Sequence, residues 1–333
     1  MRRVVALLAA GLVLQMNPSA TAESTRDIWL APLDQDHSNG SIGARDFAAL
    51  FRLDAPWGDV ANRVTVFKLY PFFTARSSDE ELTALITDLR RRGIALALEA
   101  RVLTDEAACK GDGGANTLKL LLRLKRLGAD LRYLAMDEPM KHWRFVRSNC
   151  QVPLDTIAKN IAANLRGFKA IFPNLEVGDI EPVGEFKEDP NLASDILGFL
   201  TACEQAMGRP IAFFHSDVIW HSPWLGLNRR LGKMLRGAGI PFGMIYNGTD
   251  RAVSDEQWAN EAVSRFVEFE AEGQRPEAAI FQSWTAHPTR VLPESDPVSL
   301  TGIALLISAF RDGWVSSLTS EQRYKKSFST NFL

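Results

Sequence analysis

The chain has 333 residues, of which 46% are hydrophobic and 23% charged, and its formal net charge is −2. This composition is typical of a folded globular protein and excludes the disordered and fibrous classes. Because no long basic run follows the N-terminal arginines, the sequence predicts no nucleic-acid partner.

The N-terminus has the three parts of an export signal. Arg2 and Arg3 precede an apolar stretch too short to span a bilayer, and the small residues Ala20-Thr21-Ala22 follow it. We therefore predict a signal peptide in residues 1–22, cleaved after Ala22, and a mature domain in residues 23–333. The protein would then be secreted or periplasmic, with no membrane partner after cleavage; a retained membrane anchor is the alternative.

Three cysteines are present: Cys109, Cys150 and Cys203. Their spacing matches neither a CxxC motif nor a metal site, and export would expose them to an oxidising compartment. A Cys109–Cys150 disulfide is the preferred pairing, because both residues lie in loops that follow consecutive predicted strands.

From residue 27 onward, short β-rich runs alternate with amphipathic stretches, a pattern typical of βα units around a parallel sheet. The predicted strands are 28–33, 64–70, 94–100, 131–136, 175–180, 211–216, 242–247 and 279–284. The predicted helices are 43–53, 78–92, 114–127, 153–171, 189–207, 225–237, 254–272 and 298–311.

Helix 78–92 shows the boundary chemistry of these units, with Ser78 as its N-cap and Gly93 just after its end. Eight repeated βα units predict a single α/β domain with the (β/α)₈, or TIM-barrel, fold. A doubly wound open sheet is the alternative, but neither GxGxxG nor GxxxxGK[ST] follows the first strand.

Active sites of such barrels lie at the C-terminal ends of the strands. Every predicted strand ends in polar or aromatic side chains, namely Asp34, Lys68, Tyr70, Glu99, Asp137, Glu138, Asp179, Glu181, His215, Asp217, Tyr246, Asn247, Gln282 and Trp284. A polar residue at any one end can simply terminate a strand, but their agreement predicts a common polar cavity.

Side-chain alternation indicates which residues face this cavity. In the third strand, the small residues Ala95 and Ala97 share a face with Glu99, so this face is predicted to line the barrel. The same alternation predicts that Lys68, Glu181 with Asp179, Asp217 with His215, and Gln282 with Trp284 converge on the barrel mouth.

Asp137-Glu138-Pro139 resembles the Asn-Glu-Pro motif of a large clan of retaining glycoside hydrolases with this fold. The resemblance implies that Glu138 is the general acid/base. Trp284 is similar to the clan's tryptophan that forms the floor of the sugar site. The clan's nucleophile is a glutamate that ends the seventh strand, where this chain instead has Tyr246 and Asn247.

Glycoside hydrolysis needs a second carboxyl group, either as nucleophile or to activate water. Glu181 is the first choice, because Glu181-Pro182 repeats the acid-proline pair of Glu138-Pro139. Asp217 is the second choice. Asp137 and Asp217, on the fourth and sixth strands, resemble the aspartate pair of some other barrel glycosidases, and this resemblance implies that Asp137 is the nucleophile and Asp217 the acid.

The sequence thus predicts a secreted glycoside hydrolase that cleaves a glycan, with Trp220 and other loop aromatics stacking on sugar rings. A noncatalytic carbohydrate-binding barrel is the main alternative. A metal-dependent hydrolase using His215, Asp217, Glu99 and Asp137 is a further one. Because HxH and HExxH motifs are missing, no metal or other cofactor is predicted.

Overall fold

The computed structural model describes residues 27–38, 42–103, 113–144, 152–184, 191–270 and 273–311. Its parallel strands form a closed barrel in chain order, in which β8 pairs with β1. The strands are β1 (Asp27–Pro32), β2 (Val66–Leu69), β3 (Ala95–Ala100), β4 (Leu131–Asp137), β5 (Glu176–Val183), β6 (Phe214–Val218), β7 (Phe242–Tyr246) and β8 (Ala278–Ser283). The predicted (β/α)₈ fold is confirmed.

Helices alternate with these strands. They are α1 (Gly58–Ala61), α2 (Pro71–Arg76), α3 (Asp79–Arg92), α4 (Gly113–Arg126), α5 (Pro139–Arg144), α6 (Leu154–Ile171), α7 (Leu192–Met207), α8 (Trp224–Gly237), α9 (Asp255–Glu270) and α10 (Leu300–Ala309). Helix α3 has the predicted ends: Ser78 forms a capping box with Glu81, and Gly93 takes a left-handed conformation with φ 72°.

The prediction of a helix over 43–53 is wrong. This segment contains only a 3₁₀ helix at Phe47–Phe51, and the single-turn α1 follows it. The Asp46 carboxylate does not cap the segment, because it accepts hydrogen bonds from the backbone N–H groups of Val291 and Leu292. Pro56 then prevents a continuous helix into α1.

Two further short helices that were not predicted, α2 and α5, begin two residues after the last residues of β2 and β4. Both start with proline, at Pro71 and Pro139, whose fixed φ suits the first helical position. Each helix therefore turns the chain immediately beyond a strand end, over the side of the barrel where the candidate site lies.

The apolar core has two layers. The inner layer, within the barrel, consists of Trp29, Val66, Ala97, Ala135, Ile180, Phe213, Ile245, Ala278 and Ile280. The Trp29 ring lies 5.0 Å from Phe213 and 5.2 Å from Tyr133 between ring centroids. A larger outer layer lies between the strands and the helices.

Gly178 determines which face of β5 lines the barrel. A Cβ atom at this position would lie 2.3 Å from the Phe213 ring, so only glycine fits. Ile180, two residues further on, belongs to the inner layer, whereas Val177 belongs to the outer one. The even-numbered residues of β5 therefore face the barrel interior.

Several predictions concern segments outside the described residues. The signal peptide of residues 1–22 lies there, as do Cys109 and Cys150 with their predicted disulfide. The third cysteine, Cys203, is a buried free thiol on α7. Within the described ranges, no helix is both long and apolar enough to cross a bilayer.

Candidate active site

The C-terminal end of the barrel contains a cluster of polar and charged side chains that we call the mouth. It comprises Lys68 on β2 with Tyr70 just after this strand, Glu99 on β3, Asp137 at the end of β4 with Glu138 just after it, Asp217 on β6, Asn247 after β7, and Gln282 on β8. Inner-layer residues precede several of these by two positions, including Val66, Ala97, Ala135 and Ile280. Alternation then directs Lys68, Glu99, Asp137 and Gln282 inward.

Lys68 lies at the bottom of the mouth. Its side chain is 0% exposed, and its ammonium group donates hydrogen bonds to the Glu99 carboxylate and to the Gln282 side-chain carbonyl. Burial raises the pKa of Glu99, and the positive charge of Lys68 offsets only part of this rise. Lys68 thus links β2 to β3 and β8 and supplies the positive charge deepest in the site.

Glu138 has a strained backbone. Its φ of 48° lies in the left-handed region, which residues with a Cβ atom rarely adopt. The Glu138 N–H donates to the carbonyl of Ile180 at 3.0 Å, and its carboxylate forms an ion pair with Lys141 at 2.9 Å. Sequence reasoning missed Lys141, although its position three residues after Glu138 at the start of a helix is a usable signal.

Asp217 is the carboxyl group suited to carry a proton at neutral pH. It is 9% exposed, and its Oδ1 atom has no hydrogen-bond partner. Burial, followed by repulsion from Glu138 and Glu99, raises the pKa of Asp217 to about 7, while Lys68 and Lys141 oppose the rise. Asp217 therefore interacts electrostatically with Glu138, and about half of it is protonated near pH 7.

Asp137 ends β4 beside Glu138. Its Oδ2 atom accepts a hydrogen bond from Nε of Arg101 at 3.2 Å, and the carboxylate is 28% exposed. Arg101, which the sequence reasoning also missed, follows β3 and is largely exposed to solvent. Asp137 thus lies at the solvent side of the mouth, whereas Asp217 is buried.

Tyr70 supplies a buried neutral phenol. Its hydroxyl has no hydrogen-bond partner, and its ring lies 5.6 Å from the Lys68 ammonium. Burial raises the pKa of Tyr70 well above its usual value, and Glu99, Asp217 and Asp137 add to this rise. The phenol therefore keeps its proton and can donate a hydrogen bond to a ligand in the mouth.

His215 lies deeper in the barrel, two residues before Asp217. Its ring centroid is 4.6 Å from that of Trp29 and 4.4 Å from that of Phe213, and neither ring nitrogen has a hydrogen-bond partner. Burial lowers the pKa of His215 well below its usual value, and Lys68 lowers it further. His215 is thus a neutral packing residue beneath the mouth.

Asn247 in the mouth is hydrogen-bonded to Trp220, which lies in the loop after β6. The Trp220 Nε1–H donates a hydrogen bond of 2.5 Å to Oδ1 of Asn247, and Arg265 on α9 donates to the Asn247 carbonyl at 2.5 Å. Trp284, directly after β8, is 39% exposed and offers an accessible indole.

Three predicted mouth residues face the outer layer instead. Because Gly178 and Ile180 face inward, Asp179 and Glu181 project from β5 toward the helices, and their charges act on Cys203 of α7. Tyr246 also faces outward, and its hydroxyl donates to Glu270 on α9 at 2.9 Å. The prediction that Asp179 and Glu181 face inward is wrong, because it assigned Val177 to the inward face of β5.

Glu181 has a structural partner in its outward position. Its carboxylate accepts hydrogen bonds from the N–H groups of Met140 at 2.6 Å and Lys141 at 3.1 Å, in the first turn of α5. Burial raises the pKa of Glu181 well above its usual range, as it does for Asp179. Glu181 therefore holds the helix that carries Lys141.

Asp34 after β1 forms an ion pair with His37. In the part of the chain that the structure describes, no group of three His, Cys, Asp or Glu side chains could hold a metal ion. The described site contains carboxyl groups, the two lysines Lys68 and Lys141, and the Tyr70 phenol.

The fold and the mouth define a (β/α)₈ barrel with carboxyl groups at the end where barrel enzymes have their active sites. No family model matches the sequence, and a search of curated proteins finds no match.

Several solved structures share the fold at low identity. A D-psicose 3-epimerase with D-tagatose from Clostridium cellulolyticum H10 is 12% identical (TM-score 0.49, covering 86% of this chain and 98% of that one). A GH128 (subgroup II) endo-β-1,3-glucanase from Pseudomonas viridiflava is 13% identical (TM-score 0.44, 84% and 96% covered). The 3-keto-D-glucoside 4-epimerase from E. coli is 10% identical (TM-score 0.40, 78% and 95% covered). The similarity concerns the fold alone.

Proposed function

We propose that the protein is a glycoside hydrolase that cleaves a glycan with Asp217 as proton donor and Glu138 as the second carboxylate. The observation that carries this proposal is the pKa of Asp217, about 7, in a mouth that also contains the charge of Glu138. A carboxyl group that can still carry its proton near neutral pH, together with a second carboxyl group in the same mouth, is the arrangement glycosidic cleavage requires.

In this mechanism, Asp217 donates its proton to the glycosidic oxygen as the bond between that oxygen and the anomeric carbon breaks. The carboxylate of Glu138, paired with Lys141, either attacks the anomeric carbon or removes a proton from the attacking water. The Lys68 ammonium group stabilises the negative charge of Glu99 at the bottom of the mouth. The Tyr70 hydroxyl donates to a sugar hydroxyl, and the exposed Trp284 indole stacks on a sugar ring.

These roles differ from the first sequence-based choice, in which Glu138 was the acid and Glu181 its partner. Glu181 faces α5 and accepts two backbone hydrogen bonds there, so its carboxylate is engaged outside the barrel. We further propose that the chain is exported by residues 1–22, as predicted from the sequence, and that its substrate is a polysaccharide outside the cytoplasm.

The proposal is tested by release of reducing ends from a panel of neutral polysaccharides. Wild type should hydrolyse at least one member, and Asp217→Asn should lower kcat by about 10²- to 10⁴-fold, the usual effect of losing a general acid. The rate of wild type should fall above about pH 7, as Asp217 loses its proton.

Asp130→Asn is the matched control, because Asp130 is exposed and precedes β4 at the opposite end of the barrel. This variant should keep the full rate. Binding of a polysaccharide by wild type without any hydrolysis would overturn the proposal in favour of a noncatalytic carbohydrate-binding barrel.

A further inference from the structure

A groove of about 620 Å³ lies on the outside of the barrel, between the start of α8 and one face of α9. Its volume falls within the ~300–1,000 Å³ typical of ligand sites. Trp220 and Trp224 line one side. Because Trp220 also donates to Asn247 at the end of β7, the groove begins where the mouth ends.

Trp220 is fixed in orientation although it is partly exposed. The Arg265 guanidinium lies 4.3 Å from the centre of one face of its ring, and Trp224 contacts it edge-on with a centroid distance of 4.8 Å. Its Nε1–H is held by Asn247. A rigid aromatic side chain loses little conformational entropy on binding, so Trp220 is a preorganised contact for a flat apolar face.

The other side of the groove is a polar stripe on α9. Asn260, Ser264 and Glu268 recur at every fourth residue and so share one face of the helix. The opposite face of α9 packs into the core through residues such as Trp258 and Phe266. The groove thus presents hydrogen-bonding groups opposite the partly exposed Trp220 indole, which buried Trp224 supports from behind. This combination suits a sugar, which has hydroxyl edges and apolar faces.

The charge of the lining indicates uncharged sugars. The Arg265 guanidinium is already bonded to the Asn247 carbonyl and paired with Glu261 at 3.4 Å. Glu268 adds a further negative charge, so an anionic sugar would be repelled.

We infer that this groove is a distal subsite that binds uncharged sugar units of the same glycan chain that occupies the mouth. The inference rests on the proposed function, and it specifies the substrate as a neutral polymer that is long enough to pass over Trp220. Chain length should then affect binding through contacts that take no part in bond cleavage.

The experiment is native gel electrophoresis in the presence of soluble β-1,3-glucan, hydroxyethylcellulose, starch or galactomannan, with pectate as an anionic probe. Ser264→Arg places a long side chain in the groove without altering the mouth. Val253→Arg, at a position that is 84% exposed and does not line the groove, is the matched control.

Wild type, Val253→Arg and Asp217→Asn should all be retarded by at least one neutral polymer and not by pectate. The dissociation constant from mobility should rise about tenfold in Ser264→Arg. Hydrolysis of short aryl glycosides, if wild type performs it, should be unchanged in Ser264→Arg, because these substrates end within the mouth.

Equal retardation of Ser264→Arg and Val253→Arg would overturn the inference, as would a lack of retardation of wild type by every neutral polymer. Failure of the proposed function has a different signature. In that case wild type hydrolyses no polymer, yet Ser264→Arg still weakens retardation relative to Val253→Arg.

Discussion

The carboxylate of Glu181 accepts a hydrogen bond of 2.6 Å from the backbone N–H of Met140, although the two residues belong to consecutive βα units. Met140 follows Glu138 by two residues and lies in the first turn of α5, where N–H groups have no partner within the helix. Glu181 thus fixes the turn that places Glu138 and Lys141. Its role in the proposed mechanism is that of a positioning residue.

This relationship predicts different effects for two glutamine substitutions. Glu138→Gln removes a reacting carboxylate and should lower kcat by at least about 10²-fold. Glu181→Gln keeps one acceptor oxygen for α5 and replaces the other by an amide NH₂ group, so it loses one of the two hydrogen bonds to this helix. We expect kcat to fall less than about tenfold, by analogy with the loss of one ordinary hydrogen bond.

Steady-state kinetics of both variants on the same polysaccharide measures the difference, and Glu181→Ala is the informative companion variant. Because alanine removes both hydrogen bonds to α5, it should lower the stability of the fold as well as the rate. If Glu181→Gln loses as much activity as Glu138→Gln while remaining folded, Glu181 is a reacting group and the role assigned to it here is wrong.

Asp217 should make the stability of the protein depend on pH. Its pKa is about 7 in the folded state and near the ordinary aspartate value of 3.8 when unfolded. Between these values the folded state binds more protons, so the free energy of unfolding decreases as pH rises through this window. Asp217→Asn removes this term and should stabilise the protein at pH 8 by up to about 4 kcal/mol relative to wild type.

At pH 5 the gain from Asp217→Asn should be much smaller, because wild-type Asp217 is then mostly protonated. Urea unfolding of both proteins at the two pH values measures the difference, with Asp130→Asn, at an exposed position, as the control for the substitution itself. A stability difference between wild type and Asp217→Asn that is equal at pH 5 and pH 8 would show that the Asp217 carboxyl titrates normally.

The sequence predicted the barrel and its strands because the βα pattern repeats with clear boundaries, but it did not predict the facing of β5. Strands of a parallel barrel are buried on both faces, so hydrophobicity hardly distinguishes them. In β5 both Val177 and Ile180 are apolar, and only the fit of Gly178 against Phe213 decides which face is inner. Glu181 was misplaced for this reason.

The same ambiguity explains Tyr246, which follows the outward-facing Phe242 and Met244 on β7. The contributions of Lys141 and Arg101 to the mouth could not be predicted for a different reason. Lys141 and Arg101 follow strands rather than ending them, so alternation says nothing of where their side chains lie. In contrast, Lys68 and Glu99 follow Val66 and Ala97 at clear two-residue steps, and the structure places both inward.

The left-handed backbone of Glu138 should cost stability. For a residue with a Cβ atom this conformation is disfavoured by about 1–2 kcal/mol, whereas glycine adopts it freely. Both Glu138→Ala and Glu138→Gly lose the ion pair with Lys141, so comparing them isolates the backbone effect. We expect Glu138→Gly to be more stable than Glu138→Ala by about 1 kcal/mol in urea unfolding.

Lys159 on α6 is the matched control position, because it is exposed within an ordinary helix. There the order should reverse, with Lys159→Ala more stable than Lys159→Gly, since glycine disfavours helix interiors. If alanine is the more stable residue at both positions, the φ of Glu138 carries no cost.

The buried pair of Lys68 and Glu99 should show strong energetic coupling. Lys68→Met alone leaves the Glu99 carboxylate buried without its cation, near Asp137, and should lower the free energy of unfolding at pH 8 by about 3–5 kcal/mol. Adding Glu99→Gln removes the stranded charge, so the double variant should recover much of this loss. At pH 5 the single variant should be less affected, because the raised pKa of Glu99 allows it to take up a proton.

Urea unfolding of wild type, both single variants and the double variant completes the cycle, with the exposed pair Lys159–Asp155 as a control that should show no measurable coupling. Additive effects of the two substitutions at Lys68 and Glu99 would mean that the ammonium group does not stabilise the carboxylate, and Lys68 would then lose its place in the proposed mechanism.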